Sequence, residues 1–350
     1  MTSAWQPAGP RRLRVGLVGL GSMGRNHLRV LGSLPQAELV AISDPMPEAL
    51  QAAVASSGAQ GFADPEAMLD SAGLDAVVIA APTTVHLTLA LAAIERGIPV
   101  LVEKPLAANP EEGLRLAIAA RDAGVPVQVG HIERFNPAVR ELGRLLAGGA
   151  LSSIFAITSR RAGPFPARIR DVGVTIDLAT HDADILSWIA GQRPVRVSAE
   201  TAQRIHTGHE DLLFGLLHFP SGAIGMLDVN WLTPDKRRSL VVLGEEGMFA
   251  LDYLTQRLTF SRAEAKAVPT LIRGYAPTFE GDVTEIPVAR QEPLAAELGS
   301  FLAVVQGGGR PEVSAEDGLW AVAIADALLR AAAEHRAVDL TGLADQLRMS

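Results

Sequence analysis

Two pairs of polar residues in this sequence have the types and the spacing needed to oxidise an alcohol. Glu103 and Lys104 stand side by side at the end of an apolar run and are followed at once by Pro105. Asp177 and His181 are four residues apart, which places them on one face of a predicted helix. An imidazole beside a carboxylate can take the proton of a hydroxyl while a hydride leaves the same carbon. A lysine held against the oxygen can stabilise the negative charge that develops there.

The same residues also have interpretations that involve no catalysis. Glu103 and Lys104 could form a surface ion pair that happens to follow a strand. The helix dipole stabilises acidic residues near the start of a helix, so Asp177 could be present for that reason alone. His181 would then have no chemical role. Asp177, His181 and Asp184 share a face and could ligate zinc. Because the sequence shows no further cluster with ligand spacing, we expect no metal.

A glycine-rich turn predicts a dinucleotide-binding site. Gly19, Gly21 and Gly24 form the pattern GxGxxG after a predicted strand and at the start of a helix. The first permits a tight turn, the second lets a pyrophosphate approach the backbone, and the third lets helix and strand pack closely. The free N–H groups at the helix start can bind the phosphate. The alternative is that these glycines serve packing alone.

Asp44 indicates which dinucleotide is bound. It follows Gly24 by 20 residues and ends the second predicted strand. Its carboxylate can accept hydrogen bonds from the adenosine ribose hydroxyls, although it could also cap a helix. The same charge repels a 2′-phosphate, and the SDPMP stretch contains no Arg or Lys that could hold one. We therefore expect NAD rather than NADP.

Predicted strands and helices must position these residues. Over the first 130 residues, short apolar runs, typical of strands, alternate with helical stretches. This pattern indicates a parallel sheet covered on both faces, the doubly wound arrangement. Ligands of such a sheet bind outside the carboxyl ends of the strands, so Lys104 is expected at the cofactor crevice. The predicted strands are 13–18, 38–43, 75–81, 99–103 and 126–130.

After residue 130 the apolar runs become longer, partly alternating and joined by short turns. Strands in series with tight turns indicate an antiparallel sheet with one exposed face. We therefore expect an α/β fold with an N-terminal Rossmann domain at 1–132 and a C-terminal α/β domain at 133–350, which has an open, mostly antiparallel sheet. The final helices could pack back on the first domain. Strands are predicted at 151–160, 195–205, 212–219, 222–232 and 238–244, and helices at 293–306 and 316–333.

The overall composition excludes several classes of function. The chain has 350 residues, 48% of them hydrophobic, and a formal net charge of −8, which argues against sequence-independent nucleic-acid binding. It contains no cysteine, so disulfides, thiol catalysis and thiolate metal sites are excluded. No apolar stretch approaches the roughly 18 residues of a membrane helix, and the N-terminus has no signal-peptide core. We expect a soluble cytoplasmic protein without membrane or nucleic-acid partners.

Four motifs together resemble the Gfo/Idh/MocA (glucose–fructose oxidoreductase/inositol dehydrogenase) family. They are GLGSMG with Asp44, APTTVH at 81–86, EKP at 103–105 and Asp177-x-x-x-His181. The resemblance implies NAD(P)-linked oxidation of a sugar or polyol hydroxyl by Lys104, Asp177 and His181. It also implies a homodimer or homotetramer formed through the C-terminal sheet. The predicted cofactor-binding residues are Gly19, Gly21, Ser22, Met23, Gly24, Asp44, Pro82, Thr83, His86, Glu103 and Lys104.

Two further segments resemble the subgroup of that family that acts on the 3-hydroxyl of UDP-N-acetylglucosamine. They are GHIERFNPAV at 130–139 and SRRAGPFPARIRDVGV at 159–174. The second segment is crowded with arginines, whose guanidinium groups suit a diphosphate but could also serve solubility and ion pairing. Those arginines are Arg160, Arg161, Arg168 and Arg170. The predicted substrate-binding residues are Lys104, His131, Arg134, Asn136, Arg160, Arg168, Asp177 and His181.

Two other functional classes stay open at this point. One is a dehydrogenase of the same family that acts on inositol, another polyol or a free hexose. The other is a non-catalytic regulator that binds NAD and keeps the fold. The intact set of Lys104, Asp177 and His181 argues against the regulator, because binding alone needs no base.

Overall fold

The computed structural model describes residues 5–166, 172–205, 208–263, 282–343 and 346. They form two compact units. The first contains the described chain up to Phe135, the segment Gln291–Asp326 and the described residues from Leu343 onward. The second contains Asn136–Arg290 and Ala327–Gly342. Each unit is built around one sheet.

The first unit contains a six-stranded parallel sheet with the strand order β3-β2-β1-β4-β5-β6. This is the doubly wound order, so the predicted Rossmann sheet is confirmed. The strands are β1 Leu13–Val18, β2 Ala37–Ser43, β3 Gln60–Phe62, β4 Ala76–Ile79, β5 Val100–Glu103 and β6 Val127–Gly130. Helices of this unit are α1 Ser22–Leu31, α2 Pro47–Ser57, α3 Pro65–Ser71, α4 His86–Glu95, α5 Pro110–Ala123 and α8 Pro293–Gly307. Helix α9, Ala315–Glu334, begins in this unit and ends in the second.

Alternation of side chains along the strands decides which helices cover which face of this sheet. On β4, Val77 and Val78 point to opposite faces and belong to two separate apolar clusters. The cluster of Val77 includes Leu116 of α5 and Leu319 of α9. The cluster of Val78 includes Phe301 of α8. Two C-terminal helices therefore complete the core of the N-terminal sheet.

The second unit contains a nine-stranded sheet with the order β14-β13-β12-β11-β7-β10-β9-β8-β15. Among the described strands, β7 and β10 are parallel and the other neighbours are antiparallel, which confirms the predicted open, mostly antiparallel sheet. The strands are β7 Ile154–Pro164, β8 Arg196–Ala202, β9 Leu212–His218, β10 Ile224–Asn230, β11 Leu232–Gly244, β12 Gly247–Asp252, β13 Arg257–Arg262, β14 Val283–Ile286 and β15 Val338–Asp339. Helices of this unit are α6 Pro137–Ala147 and α7 Thr180–Ala190, together with the end of α9.

The inner face of the C-terminal sheet is covered by α7 and the end of α9. A Cβ added to Gly225 on β10 would lie 2.9 Å from Cδ2 of Leu186 on α7. A Cβ added to Gly215 on β9 would lie 2.9 Å from Cδ2 of Leu328 on α9. The two glycines thus allow both helices to approach the sheet closely.

The opposite face of this sheet, called the outer face below, carries exposed apolar side chains. Leu216 and Met226 stand directly opposite each other in the β9–β10 ladder. Five large apolar residues of the outer face, on β9, β10 and β11, are between 38% and 51% exposed. They are Phe214, Leu216, Ile224, Met226 and Leu243.

Candidate active site

The glycine turn between β1 and α1 has the geometry of a dinucleotide cradle. Gly19 has a φ of 91°, and a Cβ there would lie 2.6 Å from the carbonyl oxygen of Ala80. A Cβ on Gly24 would lie 1.9 Å from the carbonyl oxygen of Gly19, so only glycine lets α1 begin this close to the turn. A Cβ on Gly21, which precedes Ser22 and Met23 of α1, would meet nothing within 4 Å. The space in front of Gly21 is open to a pyrophosphate, and the residues present fit NAD.

Asp44 is buried at the end of β2 and is bonded to this turn. Its Oδ2 accepts the backbone N–H of Leu20 at 2.7 Å, and its Oδ1 accepts that of Met46 at 2.8 Å. A carboxylate can accept about four hydrogen bonds, so capacity remains for ribose hydroxyls. The sequence alone did not indicate that Asp44 also holds the turn in place.

His86 connects the loop after β4 to the loop after β5. Pro82 precedes a short 3₁₀ turn, Thr83–Val85, which leads into α4. The Nδ1 of His86 lies 2.9 Å from the carbonyl oxygen of Pro105, and its Nε2 lies 2.9 Å from that of Ala81. Burial lowers the pKa of His86, so the neutral ring, which has one N–H, is favoured near neutral pH. The neutral ring can donate its one N–H to only one of these two carbonyl oxygens, and the predicted contact of His86 with the cofactor stays a prediction.

Glu103 and Lys104 do not form an exposed ion pair. Glu103 is 7% exposed, and its Oε2 accepts the backbone N–H of Lys104 at 3.1 Å. Its Oε1 lies 2.8 Å from Nε2 of His27 on α1. Burial opposes ionisation of Glu103, but the hydrogen bond with His27 and the electrostatic interactions with His27 and Lys104 outweigh it, so its pKa lies below the ordinary value. Lys104 is half-buried and follows a carboxylate that stays ionised at neutral pH.

Asp177 and His181 lie on a helix that is not regular. Residues Thr175–Ala179 form a π-helical turn, and α7 begins at Thr180. Such turns occur frequently at functional sites, and the 3.6-residue pattern of the sequence does not reveal one. Both side chains are half-buried. Glu210 fixes the start of this segment, because its Oε1 accepts the backbone N–H of Thr175 at 3.0 Å.

Asp182 connects the same helix to the neighbouring strand β7. It is fully buried and accepts a hydrogen bond from the Ser159 hydroxyl at 2.7 Å and one from Arg161 Nε at 2.9 Å. The Arg161 guanidinium also lies 5.3 Å from the centre of the Tyr253 ring. Asp182 thus holds α7 to β7. Neither Glu210 nor Ser159 is recognisable from sequence, because each is more than 20 residues from its partner.

Arg160 and Arg161 point to opposite faces of the C-terminal sheet. Successive strand residues alternate between the faces. Arg160 lies on the outer face, where its Nε is 2.9 Å from Asp228 Oδ2, whereas Arg161 meets Asp182 on the inner face. Arg160 is therefore on the side away from Asp177 and His181, and its contact with a substrate stays a prediction. Arg168 and Arg170 lie outside the described residues.

The other predicted substrate residues are buried. His131 is 1% exposed, and Arg134 lies 3.7 Å from Asp317. Asn136 caps α6 by accepting the N–H of Ala138 at 3.1 Å, and its amide donates to the carbonyl oxygen of Tyr253 at 3.1 Å. These contacts give Arg134 and Asn136 structural partners, and their role toward a substrate stays a prediction.

The described part of the chain contains neither a cluster of metal ligands nor a membrane-spanning helix. Within it, no group of three or more His, Asp or Glu side chains is arranged to hold a metal ion. No helix among the described residues is long and apolar enough to cross a membrane.

Sequence models of one family match both units of this chain. A model described as "Oxidoreductase family, NAD-binding Rossmann fold" matches residues 13–131. A model described as "GFO/IDH/MocA C-terminal domain" matches residues 139–250. The first match supports NAD as the cofactor of the glycine turn.

Individual proteins of known name are similar to this chain. Inositol 2-dehydrogenase 4 of Saccharopolyspora erythraea is 40% identical over 192 residues, which cover 54% of this chain and only 57% of that protein. UDP-N-acetylglucosamine 3-dehydrogenase of Acidithiobacillus ferrooxidans is 27% identical over 290 residues, which cover 83% of this chain and 88% of that protein. The structure of the WlbA dehydrogenase from Bordetella pertussis, in complex with NADH and UDP-GlcNAcA, is 27% identical and superposes with a TM-score of 0.81, covering 95% of this chain and 99% of that one.

Asp44→Ala is expected to weaken NAD binding by about 1–3 kcal/mol, since a hydrogen bond to a charged group is lost. It should also relax discrimination against NADP, because the repulsive charge is removed. Titration calorimetry with both dinucleotides measures this. Asp44→Asn is the matched control, because an amide oxygen can still accept from the turn. A wild type that prefers NADP would show our interpretation of Asp44 to be wrong.

Proposed function

The chain belongs to the Gfo/Idh/MocA family of oxidoreductases, and we propose that it transfers a hydride from a secondary hydroxyl of a sugar to NAD. The observation that carries this proposal is Lys104, which follows a buried, ionised carboxylate at the edge of the sheet where the glycine turn and Asp44 lie. Bound NAD supplies the hydride acceptor. The oxygen of the reacting hydroxyl becomes negative as its proton leaves. A cation fixed at the carboxyl ends of the strands can stabilise that charge.

The proposed roles divide the proton and the charge between three residues. Lys104 donates a hydrogen bond to the substrate oxygen and stabilises the negative charge that grows there as the proton leaves. His181 takes that proton, because a neutral imidazole is a base of suitable strength near neutral pH. Asp177 orients the imidazole or the substrate. The carbon loses a hydride and its oxygen loses a proton, which leaves a carbonyl group.

For the substrate we favour the 3-hydroxyl of UDP-N-acetylglucosamine or of a related nucleotide sugar. The segments 130–139 and 159–174 support this, together with a relative named for that activity and a solved structure that holds UDP-GlcNAcA. The second candidate is inositol or another polyol. It is supported by the 40% identity to a protein named inositol 2-dehydrogenase.

A substrate panel separates these candidates and the non-catalytic alternative. NADH formation is followed by absorbance with UDP-N-acetylglucosamine, free N-acetylglucosamine, myo-inositol and glucose. We expect turnover of the nucleotide sugar at the highest kcat/KM. Preference for myo-inositol would overturn the substrate proposal and keep the dehydrogenase. NAD binding without turnover of any sugar would favour the regulator.

Lys104→Ala should lower kcat by roughly 10²–10³, the size expected for one lost oxyanion donor, with little change in NAD affinity. His181→Ala should lower kcat by roughly 10²–10⁴ and remove the pH dependence near neutrality. Steady-state kinetics and NAD titrations on both variants measure this. Near-normal turnover in Lys104→Ala would mean that Glu103-Lys104-Pro105 is only a structural corner, and the catalytic assignment would fall with it.

Arg168→Ala should raise KM for UDP-N-acetylglucosamine and make that KM less sensitive to salt, because one screened charge contact is lost. The KM of a plain hexose or polyol should not change. Arg160→Ala is the comparison variant, and we expect a smaller effect because Arg160 is paired with Asp228 on the outer face. Equal changes for both kinds of substrate, or none, would remove the diphosphate argument and leave the dehydrogenase intact.

We also propose that the chain forms a homodimer or homotetramer through the outer face. Large contiguous apolar patches are uncommon on monomers and mark contact surfaces. Here four exposed apolar side chains lie on the neighbouring strands β9 and β10, and Leu243 lies on the same face on β11, with β7 between β11 and β10. A second copy of the same sheet offers a matching apolar surface.

Met226→Asp should dissociate the oligomer, because a carboxylate in a closed apolar contact loses its hydration. Size-exclusion chromatography with light scattering measures the mass of variant and wild type. Leu254→Asp is the matched control, since Leu254 is 50% exposed but lies in the turn between β12 and β13. A monomeric wild type, or equal dissociation by both variants, would contradict this assembly.

A further inference from the structure

A buried polar cluster lies behind Lys104. It consists of His27 on α1, Glu103 at the end of β5, Gln128 on β6 and Glu297 on α8, and is called the rear cluster below. Three of its members are fully buried and Glu103 is 7% exposed. Ionisable side chains are rarely buried to this degree unless they are paired. The burial of three ionisable groups in one cluster therefore indicates a specific role.

The two carboxyl groups of the rear cluster differ in their contacts. Glu103 has two hydrogen bonds, to the His27 ring at 2.8 Å and to the backbone N–H of Lys104 at 3.1 Å. Among the described residues, neither carboxyl oxygen of Glu297 has a hydrogen-bond partner. Gln128 is bonded to the backbone of Glu297 at 3.1 Å and not to its carboxyl group.

This difference decides where the negative charge resides. Burial raises the pKa of Glu297 well above its ordinary value, and the nearby charge of Glu103 raises it further. The pKa of Glu103 lies below its ordinary value, since its partners outweigh the effect of burial. The two pKa values are shifted in opposite directions, so the ionised form is favoured on Glu103 and the protonated form on Glu297, which avoids two like charges in the interior.

The groups that face Glu103 come from every element around it. His27 lies on α1, Lys104 follows on the same chain segment, His86 lies on α4, and Glu297 lies on α8. On the neighbouring strand β6, a Cβ added to Gly130 would lie 3.1 Å from Oε2 of Glu103. The carboxylate is therefore enclosed on all sides, and the charge it presents to Lys104 is fixed in place.

We propose that His27 and Glu103 are positioning residues for Lys104, and that the rear cluster keeps its single negative charge on Glu103 rather than on Glu297. The proposal rests on the catalytic role given above to Lys104. A fixed anion favours the ammonium form of a neighbouring lysine and orients it. Lys104 stabilises the oxyanion as an ammonium group, so its charge and its orientation both matter to the reaction.

Two carboxyl-to-amide variants test where the charge lies. Glu103→Gln removes the anion, whereas Glu297→Gln replaces a neutral acid by a neutral amide of the same shape. A nearby opposite charge shifts a pKa by about 1–3 units. An anion favours the protonated form of a neighbouring lysine, so Glu103→Gln should lower the pH at which Lys104 becomes reactive toward labelling. Glu297→Gln should leave it unchanged.

The titration of Lys104 can be measured without knowing the substrate. Competitive labelling with acetic anhydride across the alkaline range, followed by peptide mass spectrometry, gives the labelling pKa of each lysine. The chain has three lysines, and Lys236 is an exposed internal reference that neither variant should change. An unchanged Lys104 in Glu103→Gln, or equal shifts in both variants, would overturn the proposal.

The role of the His27 hydrogen bond to Glu103 is tested by two variants, one that lacks an N–H donor and one that keeps it. His27→Leu removes the hydrogen bond to Glu103 and should lower kcat about 10-fold, with KM for the sugar nearly unchanged. His27→Gln keeps an N–H donor and should restore part of the loss. The alkaline limb of kcat should move to lower pH in His27→Leu and in Glu103→Gln, but not in Glu297→Gln.

The outcomes separate this proposal from the proposed function. If Lys104→Ala keeps its turnover, the catalytic assignment fails, whereas the labelling pKa still reports where the charge lies. If Lys104→Ala loses turnover but the rear-cluster variants change neither the labelling pKa nor the alkaline limb, the positioning role is refuted. Thermal melting of each variant checks folding. If His27→Leu does not fold, Glu103→Gln and Glu297→Gln decide the question.

Discussion

The close approach of α1 to the glycine turn is the constraint on which the cofactor edge depends. A Cβ on Gly24 would lie 1.9 Å from the Gly19 carbonyl oxygen, so no larger residue lets the helix start there. His27 lies one turn further along the same buried face of α1 and meets Glu103. Asp44 is bonded to the same turn through a backbone N–H. A displaced α1 would therefore disturb the glycine turn, Asp44 and Glu103 together.

Burial also decides how charge is distributed at this edge. A charged group in the interior is stable only when partners replace the water that it lost. Glu103 has such partners, which favour its ionised form, whereas the carboxyl oxygens of Glu297 have none among the described residues, which favours its protonated form. His86 shows the same principle for a base, because its burial favours the neutral ring. Two glutamates of the same chemical type thus differ in which protonation state is favoured, because their surroundings differ.

In the C-terminal unit, the pleat of one strand separates two neighbouring arginines that look equivalent in the sequence. Arg161 turns inward, is buried with Asp182 and helps to hold α7 against β7, whereas Arg160 turns outward to Asp228. A one-residue change of register would exchange them. The same alternation leaves one face of the sheet to α7 and α9 and gives the other the exposed apolar surface that we propose as the contact between copies.

The sequence by itself determined the doubly wound sheet, the glycine turn, the acidic residue at the end of β2 and the lysine at the end of β5. These features are local, because strand periodicity, turn chemistry and the position of a residue at a strand end are set by neighbours in the chain. Only the tertiary structure decided that His27 meets Glu103, 76 residues away, and that Glu297 is buried close enough to Glu103 for its pKa to be raised. It also decided which face Arg160 occupies and that the segment of Asp177 begins as a π-helical turn. Such contacts depend on how distant elements pack, and local patterns contain no information about that packing.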